Sequence, residues 1–327
     1  EFILEILGIF SGLIGGLGLF LFGMKLMGDG LENAAGEGLK KILEKVTSNP
    51  LVAVLVGAAV TAVIQSSSAT TVMVVGFVNA GLMNLAQAAG VIMGANIGTT
   101  ITAQLVAFKL DDIAPIFVFV GAAIVMMAKA QKRKEIGHII LGFGILFTGM
   151  GMMSDAMKPL AASPMFEQLV IAISDNMFIG VIAGAAITAI LQSSSATTGI
   201  LIALATAGAI NIDAALPILF GCNIGTCITA MLASIGTNKT AHKAALIHLI
   251  FNVGGTIIFL PFLGIIGNIV TQMSPGDVQR QIANSHTVFN IANTLIMLPL
   301  RNYLILAVET SQSLHTSITA KPRSSTP

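Results

Sequence analysis

The chain has 327 residues, 55% of them hydrophobic and only 9% charged, with a formal net charge of +1 and a mean hydropathy of +0.90. A soluble domain carries about 25% charged residues, so an ordinary soluble enzyme is excluded. The near-zero net charge leaves no electrostatic footprint for nucleic acid. The composition is that of an all-α polytopic membrane protein, and no Walker-type phosphate loop is present to supply an ATP motor.

Residues 6–27 are apolar and long enough to cross a bilayer, which takes roughly 20 residues. From Asp29 to Ser48, Lys40, Lys41, Glu44 and Lys45 alternate with Leu39, Ile42, Leu43 and Val46, the pattern of a helix lying in the interface. Pro50 opens two apolar arms, 51–64 and 69–82, each too short to span alone. Between them stands Gln65-Ser66-Ser67-Ser68-Ala69-Thr70-Thr71. Small polar residues are costly in lipid unless they are buried in protein or line a wet cavity, so the stretch reads as the tip of a re-entrant helical hairpin. In 85–106, Gly94-Ala95-Asn96-Ile97-Gly98-Thr99-Thr100-Ile101-Thr102 predicts a helix broken midway. Residues 113–128 predict a further span, followed by a basic loop with Lys129, Lys132, Arg133 and Lys134.

At about Ile136 the pattern starts again. Gly18–Asp29 aligns with Gly144–Asp155, Thr61–Thr71 with Thr188–Thr198 at nine of eleven positions, and Gly94–Ala103 with Gly221–Ala230 at eight of ten. The second copy has an interfacial stretch, 154–176, arms at 178–191 and 196–209, and the tip Gln192-Ser193-Ser194-Ser195. Spans at 244–263 and 284–305 follow, with a smaller echo of His248 and Asn252 in His286 and Asn290. The chain thus divides into a first repeat (1–135; hairpin 51–82, broken helix 85–106), a second (136–235; hairpin 178–209, broken helix 212–233), closing helices (236–305) and a polar, disordered tail (306–327).

A re-entrant hairpin adds no crossing, so three crossings separate the repeats and the second copy is inverted. The positive-inside rule agrees. With the Lys129–Lys134 loop inside, only Lys109, Lys158 and Arg280 of the sixteen basic residues fall outside. This places the C-terminus in the cytoplasm and the N-terminus outside, in a multi-pass protein of the cell (inner) membrane.

No Asp, Glu, Lys, Arg or His occurs in 46–108, 176–212 or 214–238. Proton relays use such groups, so the tips are not proton carriers. They offer hydroxyls, amides and helix ends. The second arm of each hairpin points its N–H groups and positive dipole end at the tip, an anion site, with Ser68 and Ser195 as natural caps. The first arm leaves carbonyls that suit a hard cation such as Na⁺. A lone Ser or Thr in a membrane helix usually bonds a backbone or a neighbouring helix, a role that a repeated seven-residue block does not fit. His248 and His286 read as structural, the sixteen Met as core filler, and Cys222 and Cys227 as small core residues. An intramembrane serine hydrolase is excluded, because no G-x-S-x-G or nearby base accompanies the serines.

At these motifs the chain resembles the type II sodium–phosphate cotransporter family, in its bacterial branch, over roughly residues 8–305. The two Gln-Ser-Ser-Ser tips and the blocks at Gly94 and Gly221 carry the resemblance. It implies Na⁺-driven uptake of inorganic phosphate by a homodimeric, elevator-type transporter that needs no organic cofactor and uses Na⁺ as its coupling ion. It further implies a phosphate cradle of Ser66, Ser67, Ser68, Ser193, Ser194 and Ser195. The implied Na⁺ ligands are Gln65, Gln192, Ser193, Asn223, Thr226 and Thr229, with Asn96, Thr99 and Thr102 as symmetry mates. Thr100 is replaced by Cys227 in the second copy, so the half-sites are not equivalent. Many bacterial relatives continue into a soluble domain resembling a phosphate-signalling regulator; here a short tail follows residue 305. A Na⁺ symporter for another oxyanion or a carboxylate, and a phosphate-binding membrane receptor, remain as alternatives.

Overall fold

The computed structural model describes residues 2–45 and 49–319, and within these it is helical with no strand. Five helices are long and apolar enough to cross a membrane, or up to seven if each of two sharply bent helix pairs counts as one span. The first is α1 (Phe2–Ala35), longer than expected because no proline interrupts 28–35 and Gly28 and Gly30 are held by close packing on Ile64 and Ile139; Gly36, at φ +65°, ends it before the short α2 (Gly38–Glu44). The last residues of the expected interfacial helix, 46–48, lie outside the described residues.

The first hairpin is α3 (Pro50–Ile64) and α4 (Ser67–Asn79). Asn49 caps α3 by accepting from Leu51 and Val52 N–H at 3.0 and 3.3 Å. The chain then reverses within Gln65 and Ser66: Gln65 adopts the left-handed conformation, φ 60°, and Ser66 is extended. Thr61 Oγ1 donates to Thr70 Oγ1 across the bend at 2.9 Å. The second hairpin, α10 (Met177–Leu191) and α11 (Ser194–Thr206), repeats this. Gln192 has φ 52° and Thr188 meets Thr197 at 2.8 Å. Gln65 and Gln192 are the only described non-glycine residues with positive φ, a conformation that costs an L-residue about 1–2 kcal/mol.

Each hairpin lies against a helix bearing the Asn-Ile-Gly block. In the first copy this is α5 (Leu85–Gly98) continuing, after a one-residue interruption at Thr99, as α6 (Thr100–Val106). In the second it is α12 (Ile212–Ala233), which runs unbroken. The broken helix expected at 212–233 is therefore absent. Thr226 Oγ1 donates to Cys222 O at 3.0 Å, so its hydroxyl is satisfied within the helix, and the glycines serve close packing. A Cβ on Gly94 would overlap the Val54 carbonyl, and one on Gly221 the equivalent Val181 carbonyl.

The remaining elements frame these units. α7 (Ala114–Met127) has 14 residues, about 21 Å of helix, less than the ~30 Å bilayer core. The expected span at 113–128 thus needs its flanks to cross. α8 (Gln131–Ala161) pairs with α1 along most of its length. The C-terminal end of α1 and the N-terminal end of α8 are tied by the buried Glu135, which accepts from Asn33 Nδ2 at 3.3 Å. α9 (Pro164–Asp175) meets α10 at 108°. The closing helices are α13 (Lys239–Phe259), α14 (Leu263–Met273), α15 (Val278–Met297) and α16 (Arg301–Thr319). α16 carries the backbone as helix to Thr319, where an unstructured tail was expected; 320–327 lie outside the described residues.

Gly94→Leu and Gly221→Leu are expected to abolish monodisperse protein in size-exclusion chromatography. The clash is with backbone and exceeds ordinary overpacking at about 1–3 kcal/mol. Gly18→Leu, where a Cβ meets nothing within 4 Å, is expected to elute as the parent does.

Candidate binding site

The tips meet. Gln65, Ser66, Ser67 and Ser68 of the first and Gln192, Ser193, Ser194 and Ser195 of the second line one cavity of about 50 Å³, together with Thr99 and Met24. At about 10–15 Å³ per water, that is space for several waters or one small polyatomic ion. No lining residue is charged. Thr99 Oγ1 lies 3.5 Å from Ser195 Oγ, which links the interruption of the first copy to the tip of the second.

Helix chemistry sets the polarity of this space. Ser66 Oγ accepts from Ala69 N–H at 3.1 Å and Ser193 Oγ from Ala196 N–H at 3.2 Å. The caps are therefore Ser66 and Ser193, not Ser68 and Ser195. The left-handed glutamine makes the turn so tight that each helix starts two residues early. Ser68 and Ser195 sit instead in the first turn, where the amides of Ser67, Ser68, Ser194 and Ser195 have no intrahelical partner. Two positive helix ends face one small uncharged cavity, an arrangement that favours an anion.

The cation-binding candidates divide. Gln65, Gln192, Ser193 and Thr99 line the cavity. Thr102 does not, but its Oγ1 donates to Gln65 Oε1 at 2.9 Å while Gln65 Nε2 donates to Ala62 O. Asn96 is buried one turn before Thr99, its Nδ2 without a partner. In the second copy Asn223 Oδ1 lies 3.2 Å from His286 Nε2, Thr226 bonds its own helix, and Thr229 Oγ1 is buried without a partner. None of these three lines the cavity.

The identical tips are thus held differently. Gln65 is 5% exposed and locked to α6; Gln192 is exposed and makes no such bond to Thr229. Cys227 Sγ accepts from Asn252 Nδ2 at 3.2 Å, whereas Thr100, its mate, donates to Ile97 O at the end of α5. Met24 is a lining residue that the sequence does not announce, since one Met in an apolar span carries no signal. It arrives because α1 crosses both tips: a Cβ at Gly28 would press on Ile64 O, and the Phe20 ring covers Gly199.

A ring of hydroxyls and free amides without a titratable group is held among helices of membrane-spanning length, as in a multi-pass membrane protein with a polar interior site. The Na⁺/Pi-cotransporter family matches twice in succession, over residues 19–155 and 148–274. The Bacillus subtilis protein YqeW, described as uncharacterized, is 34% identical over 80% of this chain and 85% of its own length. The Escherichia coli protein YjbB, described as a putative inorganic phosphate export protein, is 27% identical over 80% of this chain and 48% of its own, so the chain spans about half of that relative. The human sodium-dependent phosphate transport protein 2C is 41% identical over 86 residues, 25% of this chain and 14% of its own. No solved structure matches. The chain belongs to the Na⁺/Pi-cotransporter family, whose members are transporters and not enzymes.

Thr102→Val is expected to cost about 1–2 kcal/mol in thermal melts, because it strands the buried Gln65 amide. Thr229→Val is expected to be neutral or stabilising, since it removes a hydroxyl that has no partner.

Proposed function

We propose that the chain is a secondary transporter that couples Na⁺ movement to the uptake of inorganic phosphate by alternating access. The observation that carries this is the single cavity lined by six serines from two helix tips. Phosphate has four acceptor oxygens, and the hydroxyls and free first-turn amides of this wall can donate to them. The wall supplies no cationic side chain, so a bound Na⁺ provides the compensating charge. Gln65, Gln192 and Ser193 with Asn96, Thr99, Thr102, Asn223, Thr226 and Thr229 are the proposed ligands; those outside the cavity join when the tips move. The names of relatives, phosphate export in one and sodium-dependent phosphate transport in another, support the substrate and the ion.

Inverted repeats are part of the same reading. Two equivalent tips that meet end to end fit a two-fold axis in the membrane plane, as in other transporters with broken helices at mid-depth. The hairpins with α5, α6 and α12 form the moving unit against a scaffold of α1, α7 and α8, in a homodimer. The charge bias supports an orientation with Lys109, Lys158 and Arg280 outside and the C-terminus in the cytoplasm. Export is the second reading, favoured by the name of the Escherichia coli relative.

Proteoliposomes test both. Under an inward Na⁺ gradient, radiolabelled phosphate is expected to accumulate, and neither K⁺ nor a proton gradient alone should drive it. Ser68→Ala and Ser195→Ala are each expected to lower uptake at least tenfold in monodisperse protein, the loss of one donor to an anion at about 1.5–3 kcal/mol. Uptake at the parent rate in both variants would refute the site. Phosphate leaving preloaded vesicles without any response to Na⁺ would select export and remove the coupling.

A further inference from the structure

We propose that Arg280 captures the incoming oxyanion at the far end of the seam between α6 and α11 and feeds it to the tip cavity. This rests on the phosphate-transport reading and names the route into that site.

The seam begins at the cavity, where Thr99 of the α5–α6 junction meets Ser195 of α11 at 3.5 Å. From there the two helices pack together, and at the other end Val106, Ile202 and Thr206 line a second pocket of about 30 Å³. Ser195, Thr198, Ile202 and Thr206 follow at helical spacing, so they share one face of α11. Thr198 Oγ1, between the two cavities, is buried and has no partner. Seven residues of α6 separate the ends, about 10 Å. The two cavities share no lining residue, so passage of an ion between them requires the seam to part.

α15 closes that end by packing on both helices. Gln279 Nε2 donates to Thr206 Oγ1 at 2.9 Å. Arg280 Nη1 donates to Gln104 O at 3.2 Å and to Gln104 Oε1 at 2.9 Å, and its guanidinium stacks 4.4 Å from the centroid of Phe108, which lines the pocket. Arg280 is half-buried, and no carboxylate lies within ion-pair distance of it among the described residues. Its Nε and Nη2 groups make no hydrogen bond there. A planar guanidinium with donors to spare matches the edge of an oxyanion.

Its surroundings sharpen the point. Arg280 stands beside the pocket rather than in its wall, on the far side of Phe108 and next to the lining residue Gln279; Asp111 lines the pocket, and Asp277 accepts from the Arg280 backbone N–H at 3.0 Å. These two carboxylates balance Lys109 and Arg280 in formal charge, so the capture of an anion at this end falls to the half-buried guanidinium, which salt screens least. Lys109 also lines the pocket but is exposed, where salt screens it.

The test compares the parent with Arg280→Gln, Arg280→Lys and Gln104→Ala in proteoliposomes at fixed Na⁺, with phosphate varied at low and at high choline chloride. Radiolabelled phosphate binding to the detergent-solubilised proteins is measured in parallel. Arg280→Gln is expected to raise KM about tenfold at low salt with kcat changed less than twofold, and to flatten the salt dependence. Arg280→Lys should stay within about threefold of the parent. Gln104→Ala frees the guanidinium and should leave KM unchanged or lower it. An unchanged KM in Arg280→Gln, or a Gln104→Ala variant that reproduces its defect, overturns the proposal, the latter by making Arg280 a structural latch. Should Arg280→Gln not fold, the Lys and Gln104 variants decide. A parent that neither binds nor carries phosphate removes the transport reading itself; a parent that carries phosphate as Arg280→Gln does removes only this inference.

Discussion

Two helix N-termini buried face to face are the constraint on which the rest of the structure depends. α4 and α11 each end in amides that no carbonyl in their own helix satisfies, and both ends open on one cavity of about 50 Å³. In apolar surroundings such groups are costly unless a ligand or water meets them. The architecture serves this arrangement. Glycines at 94 and 221 let the polar helices press on the hairpin backbones, so each tip stands on a firm support. α1 passes across both tips and supplies Met24 to the cavity wall, which keeps the polar space small.

The two halves share their local chemistry and differ in their locks. Both tips turn through a left-handed glutamine, both are stapled by a Thr–Thr hydrogen bond, and both start their second arm on a serine cap. The first glutamine is then fastened to Thr102, beyond the interruption at Thr99. In the second copy α12 is uninterrupted, Thr229 has no partner and Gln192 is exposed. One tip is closed and the other open on its glutamine side. On the proposed alternating-access reading this asymmetry has a use, since access from one face at a time requires that two equivalent elements not be in equivalent states.

Much of this was legible in one dimension, for a physical reason. A polar block inside an apolar run has few options in lipid, so the arms at 51–64 and 178–191 were readable to within a residue of α3 and α10. The second arms begin at Ser67 and Ser194 and not at 69 and 196, because left-handed geometry at glutamine shortens the turn. The Asn-Ile-Gly block misled at 212–233: glycine between helices marks close approach as often as a break, and only the partner surface tells which. Met24, the exposure of Gln192 and the Arg280–Gln104 pairing come from elements far apart in the chain. Identical tip sequences cannot encode the difference between the tips.

The most direct measurement is equilibrium binding of radiolabelled phosphate in saturating Na⁺, counted per chain, for the parent, for Ser68→Ala, for Ser195→Ala and for the pair. If the tips form one site, the parent binds one phosphate, each variant lowers the same affinity, and the double variant falls short of additivity because both donors act on one ion. Two phosphates per chain, or an affinity that responds to one tip alone, would contradict the shared cavity as the binding site.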